Sequence, residues 1–334
     1  MRETVSTATV TAGNAEIPAL GFGTARMTGD ECRRAVETAL EVGYRHVDTA
    51  QMYDNERAVG EALAASGVGR EVERSETSDG ASDEVASRED ERGESAEKRA
   101  GATGSEQRED PGNASGETAS ERRHVSREDV FVVTKVHPDN AARDDVLEST
   151  RESLERLGLE TVDLLLLHAP SDRAPLEETL TAMNDLQDEG AVDHVGVSNF
   201  SVEQLESARE LSETPIVANQ VKYHPYHHQD DLLEYCVDRD VCLTAYSPLA
   251  EGTVPGDDRL AEIGEPYDKS ASQVALRWLV QQPGVAAIPK ASSREHIEAN
   301  ADIFDFELSA NEMAAVTEVG DGVWNRLAAK LGLH

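Results

Sequence analysis

Val162-Asp-Leu-Leu-Leu-Leu-His168 is an apolar run that stops on a histidine. It is too short for an ordinary helix and nearly continuous in its apolar character, so it reads as a strand buried on both faces. Leu176, Leu180, Met183 and Leu186 follow, spaced four, three and three apart on one helical face. A second apolar run, Val192–Asn199, comes next. Strand, helix, strand in this order is a βα repeat, which demands a parallel sheet.

The same rhythm extends in both directions. Ala19–Thr24, Arg45–Ala50 and Val130–Val136 precede this unit; Ile216–Val221, Val241–Ser247 and Val285–Pro289 follow it. Val274, Leu276, Leu279 and Val280 form another apolar helical face, stopped by Pro283. Eight such units predict an α/β fold of the (β/α)8 TIM-barrel type. Val5–Pro18, with Gly13-Asn14 at its turn, reads as an N-terminal β-hairpin capping the barrel floor.

Glu71–Val125 breaks the rhythm. It is rich in Glu, Arg, Ser, Gly and Asp and nearly devoid of large apolar residues. Such a segment cannot bury enough surface to offset its ordering entropy, so it is expected to be a disordered acidic insertion between helix 2 and strand 3. The remainder is expected to be a single barrel domain spanning the 334 residues.

Composition narrows the function classes. Acidic residues number 66 against 31 basic ones, a formal net charge of −35. Nucleic acid and anionic membrane are excluded as partners, because both repel such a surface. Lysine occurs only at Lys98, Lys135, Lys222, Lys269, Lys290 and Lys330. An acid-rich, lysine-poor chain suits concentrated salt, where self-repulsion is screened over about 3 Å at 1 M. Cys32, Cys236 and Cys242 fit neither a disulfide framework nor a zinc site. Met1–Asn14 lacks an apolar signal region. The expectation is a cytoplasmic monomer.

In a barrel of this type, polar residues at the C-terminal strand ends are the candidates for catalysis. Strand two ends near Asp48, with Tyr53 five residues on; strand three ends in Thr134-Lys135; strand four ends in His168. A charged or polar group at the end of a buried apolar run is costly to place without a purpose. Together they make a proton-donating site. Tyr53 is the donor, Lys135 lowers its pKa from about 10, Asp48 holds Lys135, and His168 orients a carbonyl.

These residues lie in segments that resemble a known family. Gly43-Tyr-Arg-His-Val-Asp-Thr-Ala50, then Tyr53, Glu56 and Val59-Gly60, is similar to the first signature of the aldo-keto reductases. Val195-Gly-Val-Ser-Asn-Phe200 is similar to the second, and Asn219-Gln-Val-Lys-Tyr-His-Pro225, Ala245-Tyr-Ser-Pro-Leu249 and Ile288-Pro-Lys290 also resemble family segments. The resemblance covers nearly all of the chain outside Glu71–Val125. It implies reduction of an aldehyde or ketone to an alcohol, without a metal, with Asp48, Tyr53, Lys135 and His168 as catalytic tetrad. NADP(H) is the implied cofactor, with NAD(H) as the alternative. It further implies that Thr24 and Asp48 border the cofactor and that Ser198, Asn199 and Gln220 hold the nicotinamide carboxamide. Tyr246 is implied to stack on the ring, Ser247 and Leu249 to meet the pyrophosphate, and Lys290 and Asn300 to hold the adenosine end. A second reading is a non-catalytic, nicotinamide-binding regulatory subunit that senses redox state; the complete tetrad favours the enzyme.

The chain departs from the family at five places, one of them Asp193, where the second signature usually has a basic residue. Ala291 and His296 stand where the family carries a hydroxyl and an arginine for the 2′-phosphate, with Arg294 near but not aligned. NADP preference is thereby weakened. His137 and Ala169 stand where tryptophans are usual, predicting a wider and more polar carbonyl pocket. Three other patterns carry no chemistry. Gly21-Phe-Gly23 lacks the third glycine of a dinucleotide fingerprint, since Arg26 stands there. Gly196-Val-Ser-Asn-Phe200 lacks the second glycine of a nucleophile elbow. His224, His227 and His228 have no matching carboxylate motif and read as rim or structural residues.

Overall fold

The computed structural model describes residues 4–68 and 125–331, the last eleven of these by backbone alone. The expected insertion, apart from Val125, lies outside the described residues. Strands β1 (Thr9–Ala12) and β2 (Ala15–Pro18) form the antiparallel hairpin. Gly13 turns it at φ 56°, a left-handed conformation that glycine adopts without steric cost.

Eight parallel strands follow in sequential order. They are β3 (Phe22–Gly23), β4 (His46–Asp48), β5 (Phe131–Val136), β6 (Val162–Leu167), β7 (Val192–Ser198), β8 (Ile216–Lys222), β9 (Cys242–Tyr246) and β10 (Val285–Ala287). A parallel bridge between Leu20 and Ala287 joins the last strand to the first and closes the barrel. Helices α1 (Gly29–Val42), α2 (Glu56–Ala65), α3 (Arg143–Leu157), α4 (Leu176–Asp188), α5 (Val202–Leu211) and α6 (Asp230–Asp238) each follow one strand. Two helices, α7 (Asp258–Gly264) and α8 (Ala271–Val280), follow β9, and α9 (Arg294–Ala301) and α10 (Ala310–Leu331) complete the chain.

The barrel interior is packed. Phe131, Val133, Leu164, Leu166, Val217, Ala218, Cys242 and Ala286 form its core, and Ala12, Ala15 and Ile17 of the hairpin close the same cluster from below. Burial of each leucine of β6 contributes about 1.5–3 kcal/mol, and Leu165 and Leu167 supply the outer layer against the helices. All three cysteines are buried and free. Two glycines mark close approaches. A Cβ at Gly21 would meet the His46 ring at 2.7 Å, and one at Gly60 would meet the Leu157 carbonyl oxygen at 2.5 Å, where α2 packs on α3.

All eight expected strands are present, but β3 and β4 are shorter than the apolar runs predict. At β4 the reason is chemical. Thr49 still donates its N–H to Val133, but its carbonyl accepts from Lys135 Nζ at 2.8 Å and leaves the ladder. His224 and His227 pair through their backbones, and His228 Nε2 lies 3.0 Å from the Pro225 carbonyl, so this histidine group folds its own loop. Among the described residues no group of three or more His, Cys, Asp or Glu is arranged to hold a metal, and no helix is long and apolar enough to cross a membrane.

Candidate active site

The strands deliver the four sequence-predicted residues to one end of the barrel. Asp48 and Lys135 lie on adjacent strands, β4 and β5, and their side chains are 2% and 0% exposed. Lys135 Nζ donates to Asp48 Oδ1 at 2.6 Å and to the Thr49 carbonyl at 2.8 Å. It also sits 5.2 Å from the centre of the Tyr53 ring. Tyr53 ends a short 3₁₀ turn, Gln51–Tyr53, that leaves β4 for α2. His168 follows β6, and its ring meets the Tyr53 ring edge-on, centroids 5.6 Å apart at 81°. Its Nδ1 is buried with no hydrogen-bond partner.

The electrostatics differ from the sequence expectation in one respect. Burial raises the Tyr53 pKa, and the pull of Lys135 in the opposite direction does not fully cancel it. Tyr53 therefore holds its proton at neutral pH, which is the state an acid catalyst needs. Burial, reinforced by the Lys135 charge, pushes His168 down to about 4. Its imidazole is neutral at pH 7, with one donor and one acceptor nitrogen.

The amide and hydroxyl residues gather at the neighbouring strand ends. Ser198 Oγ donates to the Gln220 carbonyl at 2.8 Å, and Asn199 Nδ2 donates to the His168 carbonyl at 2.9 Å. Tyr246 Oη donates to Asn199 Oδ1 at 3.0 Å, which fixes the half-buried Tyr246 ring beside these groups. Asn199 and Ser247 adopt φ of 61° and 50°. Left-handed backbone costs a non-glycine residue about 1–2 kcal/mol, and such strain collects at functional sites. Gln220 plays a second part that spacing did not reveal: its Nε2 donates to Asp48 Oδ2 at 2.7 Å. Thr24 is buried, and its Oγ1 donates to the Asp48 carbonyl at 2.9 Å. Rigid amides and hydroxyls beside a flat aromatic face fit the carboxamide and ring of a nicotinamide.

Comparison with known proteins agrees with this geometry. A model of the Aldo/keto reductase family matches residues 19–77 and 111–321. The chain belongs to the aldo-keto reductase family. Glyoxal reductase of Bacillus subtilis is 32% identical over 299 residues, 89% of this chain and 87% of that protein. A crystal structure of a putative 2,5-diketo-D-gluconic acid reductase B is similar with a TM-score of 0.75 and 39% identity, over 96% of this chain and 92% of that one. An aldo-keto reductase of Bombyx mori in complex with NADP is similar with a TM-score of 0.72 and 28% identity, over 93% and 92% of the two chains. The chain is an oxidoreductase of the NAD(P)H-dependent, carbonyl-reducing type.

At the far side of the reductase, Lys290 is exposed, Ala291 is buried, His296 is exposed and Asn300 is 5% exposed. Arg294, the candidate substitute for the missing arginine, is engaged in ion pairs. It is paired with Glu41 of α1 and with Glu298 at 3.4 Å. Ser293 is engaged too, its hydroxyl capping α9 through the His296 N–H. Leu249 is half-buried against the outer core.

Two residues beside the candidate site escaped the sequence reading. Asn55 is buried; its Nδ2 donates to the Thr24 and Met27 carbonyls at 2.9 and 3.0 Å, and its Oδ1 accepts from Thr49 Oγ1 at 2.7 Å. It ties the loop after β3 to the loop after β4. Met52, beside Tyr53, is 51% exposed, an unusual place for a large apolar side chain. Only the position of Asn55 and Met52 within the Asp48–Glu56 segment pointed to them.

Proposed function

We propose that the protein reduces a small aldehyde or ketone to the alcohol, with Tyr53 as the proton donor. The observation that carries this reading is the buried Asp48–Lys135 pair set against the Tyr53 ring, with the His168 ring edge-on to it. A reduced nicotinamide, when bound, supplies a hydride to the carbonyl carbon. Tyr53 gives its proton to the carbonyl oxygen as negative charge develops there. Lys135, held charged by Asp48, stabilises the phenolate left behind. His168, neutral and edge-on to Tyr53, donates a hydrogen bond that positions the carbonyl.

Ser198, Asn199 and Gln220 would hold the carboxamide, with Thr24 and Asp48 beneath it and Tyr246 as the wall behind the ring. Ser247 and Leu249 would border the pyrophosphate, and Lys290 and Asn300 the adenosine end. NADP(H) is the favoured cofactor and NAD(H) an acceptable one, because only part of a phosphate clamp is in place. The half-buried His137 and Ala169 and the exposed Met52 give the rim a mixed polar and apolar character. That suits small oxygen-rich carbonyl compounds, in line with the names of the glyoxal and diketogluconate relatives. All the residues belong to one chain, so a monomer suffices. The excess of 66 acidic over 31 basic residues supports function in concentrated salt.

Tyr53→Phe tests the reading. It keeps the ring and removes the proton, so turnover of a carbonyl panel with NADPH should fall by about 10²–10⁴-fold. Cofactor binding, followed by fluorescence, should be nearly unchanged. Turnover within about twofold of the parent, well below the usual acid-catalysis contribution, would overturn the assignment.

A further inference from the structure

Tyr53 is flanked in sequence by Gln51 and Glu56, and Lys135 by Thr134 and His137. The structure joins these flanks pairwise. Gln51 Oε1 accepts from the His137 backbone N–H at 2.8 Å and from Asn140 Nδ2 at 3.1 Å. A backbone N–H can only donate, so the amide oxygen must face it. The amide nitrogen then faces α3, where it donates to Ser149 Oγ at 3.1 Å and Ser153 Oγ at 3.3 Å. On the other side, Glu56 is 2% exposed, and its Oε1 accepts from Thr134 Oγ1 at 2.5 Å. Its Oε2 accepts from Arg156 Nε at 2.7 Å, and Arg156 Nη2 donates to the same Ser153 hydroxyl at 3.1 Å.

We propose that Gln51 and Glu56 form a bracket that sets the position of the Tyr53 phenol against the Lys135 ammonium. The inference rests on the reading of Tyr53 as proton donor. Neither residue is catalytic; both are positioning residues, acting through the turn that carries Tyr53. The need for such a device is geometric. Tyr53 sits on a short turn whose own backbone bonds are local, Tyr53 N–H to Ala50 at 3.0 Å with Asp54 at φ 52° after it. Lys135 is fixed by a sheet ladder and by two hydrogen bonds. Thr49 holds the entry of the turn to β5 and Asn55 holds its exit to the loop after β3, so the ties of Gln51 and Glu56 set the play that remains between them, and a displacement near 1 Å at a reacting group costs about 10²-fold. The bracket supplies the cross-link on both sides: Gln51 to the residue two past Lys135, Glu56 to the residue just before it.

The test is Gln51→Met, which keeps length and removes every hydrogen bond of the amide. The expected result is a fall in kcat on the order of tenfold, with KM for the cofactor within about twofold. A second readout separates positioning from mere structural support. In the alcohol-oxidation direction the phenolate is the base, so kcat rises with pH through the Tyr53 pKa. Loosening Tyr53 from Lys135 should move that rise upward by about half a pH unit or more. Ser149→Ala combined with Ser153→Ala removes the partners of the amide nitrogen, and with them the Arg156 contact to Ser153, and should shift both readouts the same way, by less. That double variant decides the matter if Gln51→Met fails to fold. Unchanged kcat and an unchanged pH profile, in a protein where Tyr53→Phe is inactive, would overturn the bracket and leave the tetrad standing. An active Tyr53→Phe would instead overturn the reading on which the bracket rests.

Discussion

Arg294 is paired with Glu41, an ion pair that spans from α9 to α1. The expected replacement for the missing phosphate-clamp arginine is thus occupied elsewhere. A 2′-phosphate is best gripped by a bidentate arginine, and losing one charge-assisted hydrogen bond costs about 1.5–3 kcal/mol, or roughly ten- to a hundredfold in affinity. Preference for NADPH over NADH, measured as kcat/KM, should therefore be modest. Ala291→Ser with His296→Arg should raise it. Glu41→Gln with Glu298→Gln, which removes both carboxylates paired with Arg294, should raise it too; a ratio that ignores both sets of changes would show that the phosphate is bound by other groups.

Lys135→Met should abolish turnover and destabilise the fold. The pair with Asp48 is buried, and removing one partner of a buried pair costs about 3–5 kcal/mol because the other charge is left uncompensated. Denaturant titration measures this. Pairing it with Asp48→Leu should recover part of the stability and none of the activity. Full stability in the single variant would mean that Asp48 does not depend on Lys135 for its charge compensation.

Acid should weaken the protein in a defined window. Burial pushes both His168 and His224 down from 6.5 to about 4. In the unfolded chain they take up protons near 6.5, so between pH 6.5 and 4 the unfolded state binds more protons than the folded one. Stability is therefore complete above 6.5 and declines as pH falls toward 4. Tm measured against pH in molar KCl checks this. His224→Gln should make the decline shallower; an identical curve would remove His224 from the linkage and leave the decline to His168 and the carboxylates.

The barrel was legible because its strands are buried on both faces and need no partner information to be recognised. The gathering of the candidate residues was legible for a related reason: Asp48, Lys135 and His168 end runs in which a polar residue is out of place. What stayed hidden depends on contacts between distant segments. Gln220 meets Asp48, Thr134 meets Glu56 and Arg294 meets Glu41, and no local spacing encodes any of these pairs. The direction of the Tyr53 shift was hidden as well, because it is a balance between burial and the Lys135 charge. Sequence names the two opposing effects and not which is larger.

Salt should stabilise the molecule. With a net charge of −35 the chain repels itself, over a Debye length of about 10 Å at 0.1 M and about 3 Å at 1 M. Tm should rise steadily with KCl. A flat response would show that acidic residues are locally compensated.

Residues 78–110 are left out of the family match. Their removal, with the flanks rejoined through a short Gly-Ser turn, should preserve turnover within about twofold, since Val85 is the one large apolar residue in that stretch of sequence. A soluble deletant without activity would assign the segment a role in the site.

Lys135 has three ammonium hydrogens, and two of them are spent on Asp48 and Thr49. The remaining one lies on the side of Tyr53. An ammonium cannot accept, so wherever the two meet, the phenol oxygen is the receiver and its own hydrogen is turned away from the lysine. The site thus has a polarity: hydrogens point outward along the line from Asp48 through Lys135 to Tyr53, and under the proposed reading the phenol hydrogen at its end is the one to be given away.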